Sequence, residues 1–285
     1  MLGHQLVRSW RPRFDVVATI RGRFDDFEEY GFLERSRTVE ALDIEADERV
    51  RGVIREIRPD VVVNAVGIIK QLPSSRNTVK TLTVNSIFPH RLAEFAADAG
   101  SRLITISTDC VFDGKRGMYR ESDIPNATDL YGISKHLGEV TEGDCLTVRT
   151  SIIGPELRTS HSLLEWFLSN AGGRVRGFRN AIYSGFPTVV LAEILADIIE
   201  RRPEMSGLYH VSSEPIDKFR LLELFREAYG VEIEIEPDEE FVIDRSLDST
   251  RFRTETGFRP DDWPAMVSRM AADDAKHRQI VQKRK

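Results

Sequence analysis

The chain predicts an α/β fold, a doubly wound parallel sheet with a smaller α+β region closing over it. Three observations carry that expectation. Strand-like and helix-like segments alternate through the first half of the chain. The strand-like segments are unbroken apolar runs, as burial on both faces of a parallel sheet requires, and not the alternating pattern of a half-exposed sheet. The runs end in small and polar residues, Asn64 to Gly67 and Ser107 to Asp109, at the strand ends where sheets of this kind hold ligands.

Taken in order, Asp15-Val-Val-Ala-Thr-Ile20 reads as a buried strand. Val50, Val53, Ile54 and Ile57 recur at the i, i+3, i+4, i+7 spacing of an amphipathic helix, and Asp60-Val-Val-Val-Asn-Ala-Val66 is the next strand. A helix continues from Leu92 to Ala99 after Pro89, Arg102 to Ser107 forms a strand, Leu130 to Val140 a helix, and Cys145 to Arg149 a further strand. Beyond Gly154 the pattern is mixed: helices near Ser162 to Ser169, Val189 to Glu200 and Phe219 to Tyr229, strands at Leu208 to Val211 and Val231 to Glu236. The basic end, Lys276 to Lys285, reads as a solvated tail.

Composition narrows the function classes. A chain of 285 residues can bury a substantial core, and its net charge of −6 provides no basic field for a nucleic-acid backbone. Only Cys110 and Cys145 are cysteines, and neither a signal peptide nor an apolar stretch of about 20 residues occurs, so a reducing, cytoplasmic setting without membrane insertion is expected. The six histidines form no close pair and there is no C-x-x-C, so no metal site is expected.

The chemistry-bearing residues cluster. Ser107, Thr108 and Asp109 end an apolar run, and Tyr131 and Lys135 come next in a Y-x-x-x-K spacing on a helix. A hydroxyl at a strand end, with a phenol and an ammonium one helical turn apart, suits proton delivery to a carbonyl. Lys135 is expected to draw the Tyr131 phenol down from its ordinary pKa of about 10, making Tyr131 the general acid, while Thr108 holds the reacting oxygen.

Ser107-Thr-Asp-Cys-Val-Phe-Asp-Gly114, with Tyr131-Gly-Ile-Ser-Lys135 and Leu137-Gly-Glu139, resembles the extended short-chain dehydrogenase/reductases, most closely the dTDP-4-dehydrorhamnose reductase family. Arg149-Thr-Ser151, Phe186-Pro-Thr188, Gly207-Leu-Tyr-His-Val211, Ser246-Leu-Asp-Ser-Thr-Arg251 and Trp263 extend the likeness over nearly the whole chain. The resemblance implies a Rossmann-like sheet carrying a nicotinamide cofactor and a second region binding a nucleotide-sugar. The reaction it implies is reduction of a 4-keto-6-deoxyhexose, with Thr108, Tyr131 and Lys135 as the catalytic set.

On this basis residues 1–154 are the dinucleotide-binding domain, with 183–213 returning to it, and 155–182 with 214–285 bind substrate. Arg21-Gly22-Arg23 succeeds the second strand of the doubly wound order, where arginine accepts a 2′-phosphate, favouring NADPH with NADH as the alternative. The family likeness adds Asp43 and Ile44 at the adenine, Ala65, Val66 and Gly67 beneath the ribose and nicotinamide, Asn85 bracing the site, and Tyr131 and Lys135 on the cofactor as well. Asp109, Cys110, Val111 and Ile152 fall on the substrate side. Cys110 stands where many members have tyrosine and Ile152 where they often have tryptophan, which leaves the sugar open. A homodimer fits the family. Two other readings stay open, a nucleotide-sugar epimerase or dehydratase and a non-catalytic reductase-like subunit that acts on a partner enzyme.

One departure is large. The family's first strand runs into a G-x-x-G-x-x-G loop, and Met1, Leu2 and Gly3 match only its last part. Without that central strand its two neighbours are expected to carry unpaired backbone groups, each costing about 1–3 kcal/mol where buried. A start codon assigned downstream of the true one, or a trimmed sequence, is the first explanation expected; a sheet rearranged or completed by a partner is the second.

Overall fold

The strand order depends on which apolar runs find partners, and a computed structural model describing residues 1–70 and 73–284 shows it. The strands are β1 (Ala18–Thr19), β2 (Thr38–Val39), β3 (Val61–Asn64), β4 (Arg102–Thr108), β5 (Cys145–Thr150), β6 (Ile152–Ile153), β7 (Arg174–Phe178), β8 (Ala181–Tyr183), β9 (Phe186–Pro187), β10 (Gly207–His210), β11 (Ile216–Asp217), β12 (Glu234–Asp238) and β13 (Ile243–Asp244). The α-helices are α1 (Leu2–Trp10), α2 (Asp47–Ile57), α3 (Thr78–Leu82), α4 (Phe88–Asp98), α5 (Leu130–Leu137), α6 (Leu163–Ser169), α7 (Thr188–Arg201), α8 (Lys218–Tyr229), α9 (Thr250–Thr256) and α10 (Trp263–Gln282).

The main sheet is parallel in the order β10-β5-β4-β3, with Ile104 opposite Leu146 and Thr108 opposite Thr150. A second parallel pair, β1-β2, stands apart, and among the described residues no strand joins β1 to β3. In the doubly wound order that is the place of the first strand. The expected consequence is visible in burial: β5 is buried throughout, whereas Val61, Val62 and Val63 of β3 are only half-buried.

Packing holds the two parts together where the ladder does not. Leu2, Leu6 and Trp10 of α1 enter the main core beside α7, and the Trp10 indole N–H donates to the Ala192 carbonyl at 2.7 Å. Each such side chain, fully buried, contributes about 1.5–3 kcal/mol. Val7 of α1 packs with Ala18, Ile20, Phe24, Phe27 and Phe32 around the outlying pair. The same core runs from Ile104, Leu146 and Val148 through Leu191 and Leu195 to Phe225 and Met266, so the later helices share it. Beyond the main sheet, β12 pairs with β7, and β11-β8-β13 form a three-stranded sheet. Among the described residues no helix is long and apolar enough to cross a membrane.

Two expectations are corrected. The run from Asp15 to Ile20 forms only the two-residue β1, because it has a partner on one side alone. The basic end is helical and not a loose tail: α10 runs to Gln282 and is anchored through His277, the one buried residue of 276–284, while Lys276, Arg278, Lys283 and Arg284 are solvent-exposed as expected. A His277 ring nitrogen bonds the Tyr30 carbonyl at 2.9 Å, and Arg278 pairs with Asp274 at 2.9 Å. Charge density did not reveal which face was packed; Lys285 lies outside the described residues.

Candidate active site

The carboxyl end of β4 presents Ser107, Thr108 and Asp109 and turns at once, because the Thr108 side chain caps the turn beyond it. Its Oγ1 accepts the Cys110 N–H at 3.1 Å and donates to Asp109 Oδ1 at 3.1 Å. Asp129 caps α5 by accepting the Gly132 N–H at 3.0 Å, and α5 brings Tyr131 and Lys135 against the strand end. That approach needs glycine at 132, since a Cβ there would strike the Cys110 carbonyl. Thr108, Tyr131 and Lys135 are thus drawn together as their spacing suggested.

Their electrostatics differ from expectation. The buried Lys135 donates from Nζ to the Ile106 carbonyl at 2.7 Å, and burial lowers its pKa to about 8, with Glu139 opposing. The Tyr131 phenol is not lowered; burial and then Cys110 push it up, while the Thr108 hydroxyl pulls the other way. An i, i+4 spacing fixes a shared helix face, but a carbonyl of β4 captures the ammonium. The cation over the Tyr131 ring is Lys70, its Nζ 5.6 Å from the centroid and 2.9 Å from Asp129 Oδ2.

A buried ion pair underlies the strand end. Arg149 Nε donates to Glu139 Oε1 at 2.7 Å, Ser107 Oγ donates to the same oxygen at 2.7 Å, and Arg149 Nη1 lies 3.2 Å from His210 Nε2. Burial pushes the Glu139 carboxyl up, but Arg149 outweighs it and the group lies below its usual range. Burial also drives the His210 imidazole down to about 4, so it is neutral at pH 7. This network ties β4, β5, β10 and the end of α5 into one platform.

The substrate-side residues separate. Asp109 is buried, its carboxyl raised by burial, and the partly exposed Cys110 thiol is pushed by burial up to about 12, which leaves it a neutral thiol. Val111 is fully buried with Phe112, Tyr119 and Leu247, so its side chain packs a core and offers no surface to a ligand. Ile152 on β6 is half-buried against the main core.

The cofactor-side residues sit at the ends of successive strands. Arg21 and Arg23 are exposed after β1, exposed Asp43 and half-buried Ile44 come after β2, and Ala65, Val66 and Gly67 are exposed after β3. Asn85 is buried in a π-turn and holds the loop below them, accepting the Ile68 N–H at 2.8 Å and donating to the Ile68 carbonyl and Ser134 Oγ. At the phosphate end Met1 precedes α1, Leu2 is buried, and Gly3 has open space around its Cα. These stretches lie at the ends of successive parallel strands, where a dinucleotide could be held. Lys70 and Glu139 were missed in the sequence, although Glu139 lay inside the quoted motif and Asp129 stood at an N-cap position.

A parallel α/β sheet with a threonine, tyrosine and lysine gathered at the carboxyl end of a central strand defines the class: a Rossmann-like α/β protein. The chain belongs to the RmlD substrate binding domain family, which matches residues 1–275. It is 30% identical over 188 residues to a dTDP-4-dehydrorhamnose reductase of Aggregatibacter actinomycetemcomitans, covering 61% of this chain and 62% of that protein. It is 42% identical over 94 residues to methionine adenosyltransferase 2 subunit beta of Danio rerio, covering 33% of this chain and 28% of that one. The match thus spans less than two thirds of either relative's length. Among solved structures, a hypothetical dTDP-4-dehydrorhamnose reductase from Sulfolobus tokodaii superposes with a TM-score of 0.74 at 28% identity, covering 92% of this chain and 94% of that one.

Proposed function

We propose that the chain reduces the 4-keto group of a nucleotide-linked 6-deoxyhexose with NADPH, in deoxysugar or polysaccharide synthesis. The observation that carries this reading is the meeting of Thr108, Tyr131 and Lys135 at the end of β4 within a doubly wound sheet. The nicotinamide supplies the hydride when bound. Tyr131, a neutral phenol over the whole working pH range because burial raises it, gives its proton to the carbonyl oxygen. Thr108 holds that oxygen, and Lys135 keeps a positive charge beneath the site below pH 8. Residues 1–154 with 183–213 carry the cofactor, Arg21 and Arg23 meeting the 2′-phosphate, and 155–182 with 214–285 close over the sugar.

Turnover of NADPH with a dTDP-4-keto-6-deoxyhexose tests the reading. Tyr131→Phe is expected to lower kcat by about 10²–10⁴-fold; unchanged turnover sinks the role given to Tyr131. A second reading has a specific observation behind it. The likeness to a protein named as a beta subunit favours a non-catalytic subunit. Stoichiometric binding to a methionine adenosyltransferase chain without NADPH turnover would select it.

A further inference from the structure

The ring of Tyr131 carries a cation that the Y-x-x-x-K spacing does not foretell. Lys70, at the end of the loop leaving β3, sets Nζ 5.6 Å from the ring centroid and 2.9 Å from Asp129 Oδ2, while the other oxygen of that carboxylate accepts the Gly132 N–H at 3.0 Å. An ammonium within about 6 Å of an aromatic centroid is attracted by the ring face. The backbone carrying Lys70 is tied on both sides. Asn85 bonds both polar backbone groups of Ile68 and reaches Ser134 of α5, and the Lys70 carbonyl accepts from Ser75 Oγ at 3.0 Å.

The other groups around the phenol give it little support. Cys110 and Asp109 at the end of β4 and Asp129 on α5 all oppose a negative charge on Tyr131, and the Thr108 hydroxyl favours one. Lys135 spends a hydrogen bond on the Ile106 carbonyl, while Arg245 spends one on the Phe112 carbonyl and lies against Cys110. Among the described residues Lys70 is the one cation over the ring. Its pair with Asp129 is largely exposed, at 36% and 44% of the side chains, so it adds little to the stability of the fold.

We infer that Lys70 is a positioning residue for proton delivery: clamped by Asp129, its ammonium orients the Tyr131 ring and offsets the negative charge that the ring takes on as its proton leaves. The inference rests on the reductase reading of this site. The Tyr131 O–H bond breaks and an O–H bond forms on the substrate oxygen, as the carbonyl carbon takes up hydride from the reduced nicotinamide; solvent then returns a proton to the phenolate. A cation beside the ring stabilises the phenolate more than the phenol, so its benefit falls on the proton-transfer step and not on binding.

Turnover of NADPH with a dTDP-4-keto-6-deoxyhexose by the full chain, Lys70→Met and Lys70→Arg reads this out. Lys70→Met is expected to lower kcat by about 3- to 30-fold, to leave both KM values within about twofold, and to keep the parent's urea midpoint. Lys70→Arg, which keeps a cation for the ring, recovers most of the loss. An unchanged kcat, a rise in KM alone, or an arginine variant as slow as the methionine one overturns the inference and leaves the reductase reading standing. A second measurement is independent of activity. The ε-methylene proton resonances of Lys70, identified by their loss in Lys70→Met, are expected to shift in Tyr131→Leu, and resonances that stay in place remove the contact. A parent chain that turns nothing over while those resonances shift removes the reductase reading, and the role in proton delivery with it.

Discussion

At the scale of single residues, burial governs the chemistry more than charge pairing does. Lys135 is held in the interior by one carbonyl, and its pKa falls from 10.5 to about 8. Below pH 8 both folded and unfolded chains carry the charge, and the folded state bears a penalty on the order of 3 kcal/mol. Between pH 8 and 10.5 the unfolded chain binds the extra proton, so stability relative to a chain lacking the lysine rises with pH. Lys135→Met is therefore expected to be more stable by about 1–2 kcal/mol at pH 7, after allowing about 1 kcal/mol for the lost hydrogen bond. The gain should vanish toward pH 10.5. Urea unfolding at pH 7 and pH 10 checks this, and a variant weaker than the parent at pH 7 would show that the ammonium stabilises the fold. The sequence displayed Tyr131 and Lys135 as neighbours but not where the lysine would point, because its acceptor is a backbone carbonyl on another strand.

Among elements, the contact of α5 with the turn before α4 sets the site's precision. Pro89 has no N–H to give the Asn85 carbonyl, and the Phe88 N–H reaches back five residues to Thr83, opening the π-turn. Gly138 packs on that carbonyl so closely that a Cβ would collide with it. Gly138→Ala should cost about 1–3 kcal/mol through overpacking and displace Tyr131 and Lys135, lowering turnover as well as the urea midpoint. Gly3→Ala is the contrast, with no atom within 4 Å of the added carbon. It should gain up to about 1 kcal/mol of stability while weakening NADPH binding if the pyrophosphate passes Gly3; unaltered NADPH affinity would place the phosphates elsewhere. Pro89, Gly138 and Asn85 are visible in the sequence, but their meeting is not, since 53 positions separate Asn85 from Gly138.

For the molecule as a whole, the division of the sheet has the largest consequence. The β1-β2 pair has four registered residues and is tied to the rest by side chains of α1, by the α10 contact of His277 with Tyr30, and by the Phe24–Phe32 cluster. A two-stranded sheet is marginal alone. Hydrogen exchange should therefore be faster in residues 18–42 than in β4 and β5, with the Ile20 and Leu42 amides less protected than Ile104 and Leu146. Equal protection would mean that the two parts open as one unit. Binding of NADPH across the ends of β1, β2 and β3 should narrow the difference.

By itself the sequence determined the α/β class, the parallel central strands and the hydroxyl, phenol and ammonium set, because hydrophobic periodicity and short-range spacing are local properties of the chain. Only the tertiary structure decided that β1 and β2 pair apart from the main sheet and that the basic end is helical and anchored by His277. The same holds for Lys135 binding a strand carbonyl, Val111 being closed off in a core, and Arg245 reaching Cys110. Each of those depends on which distant residues share a neighbourhood, and long-range packing, unlike periodicity, leaves no regular signature along the chain.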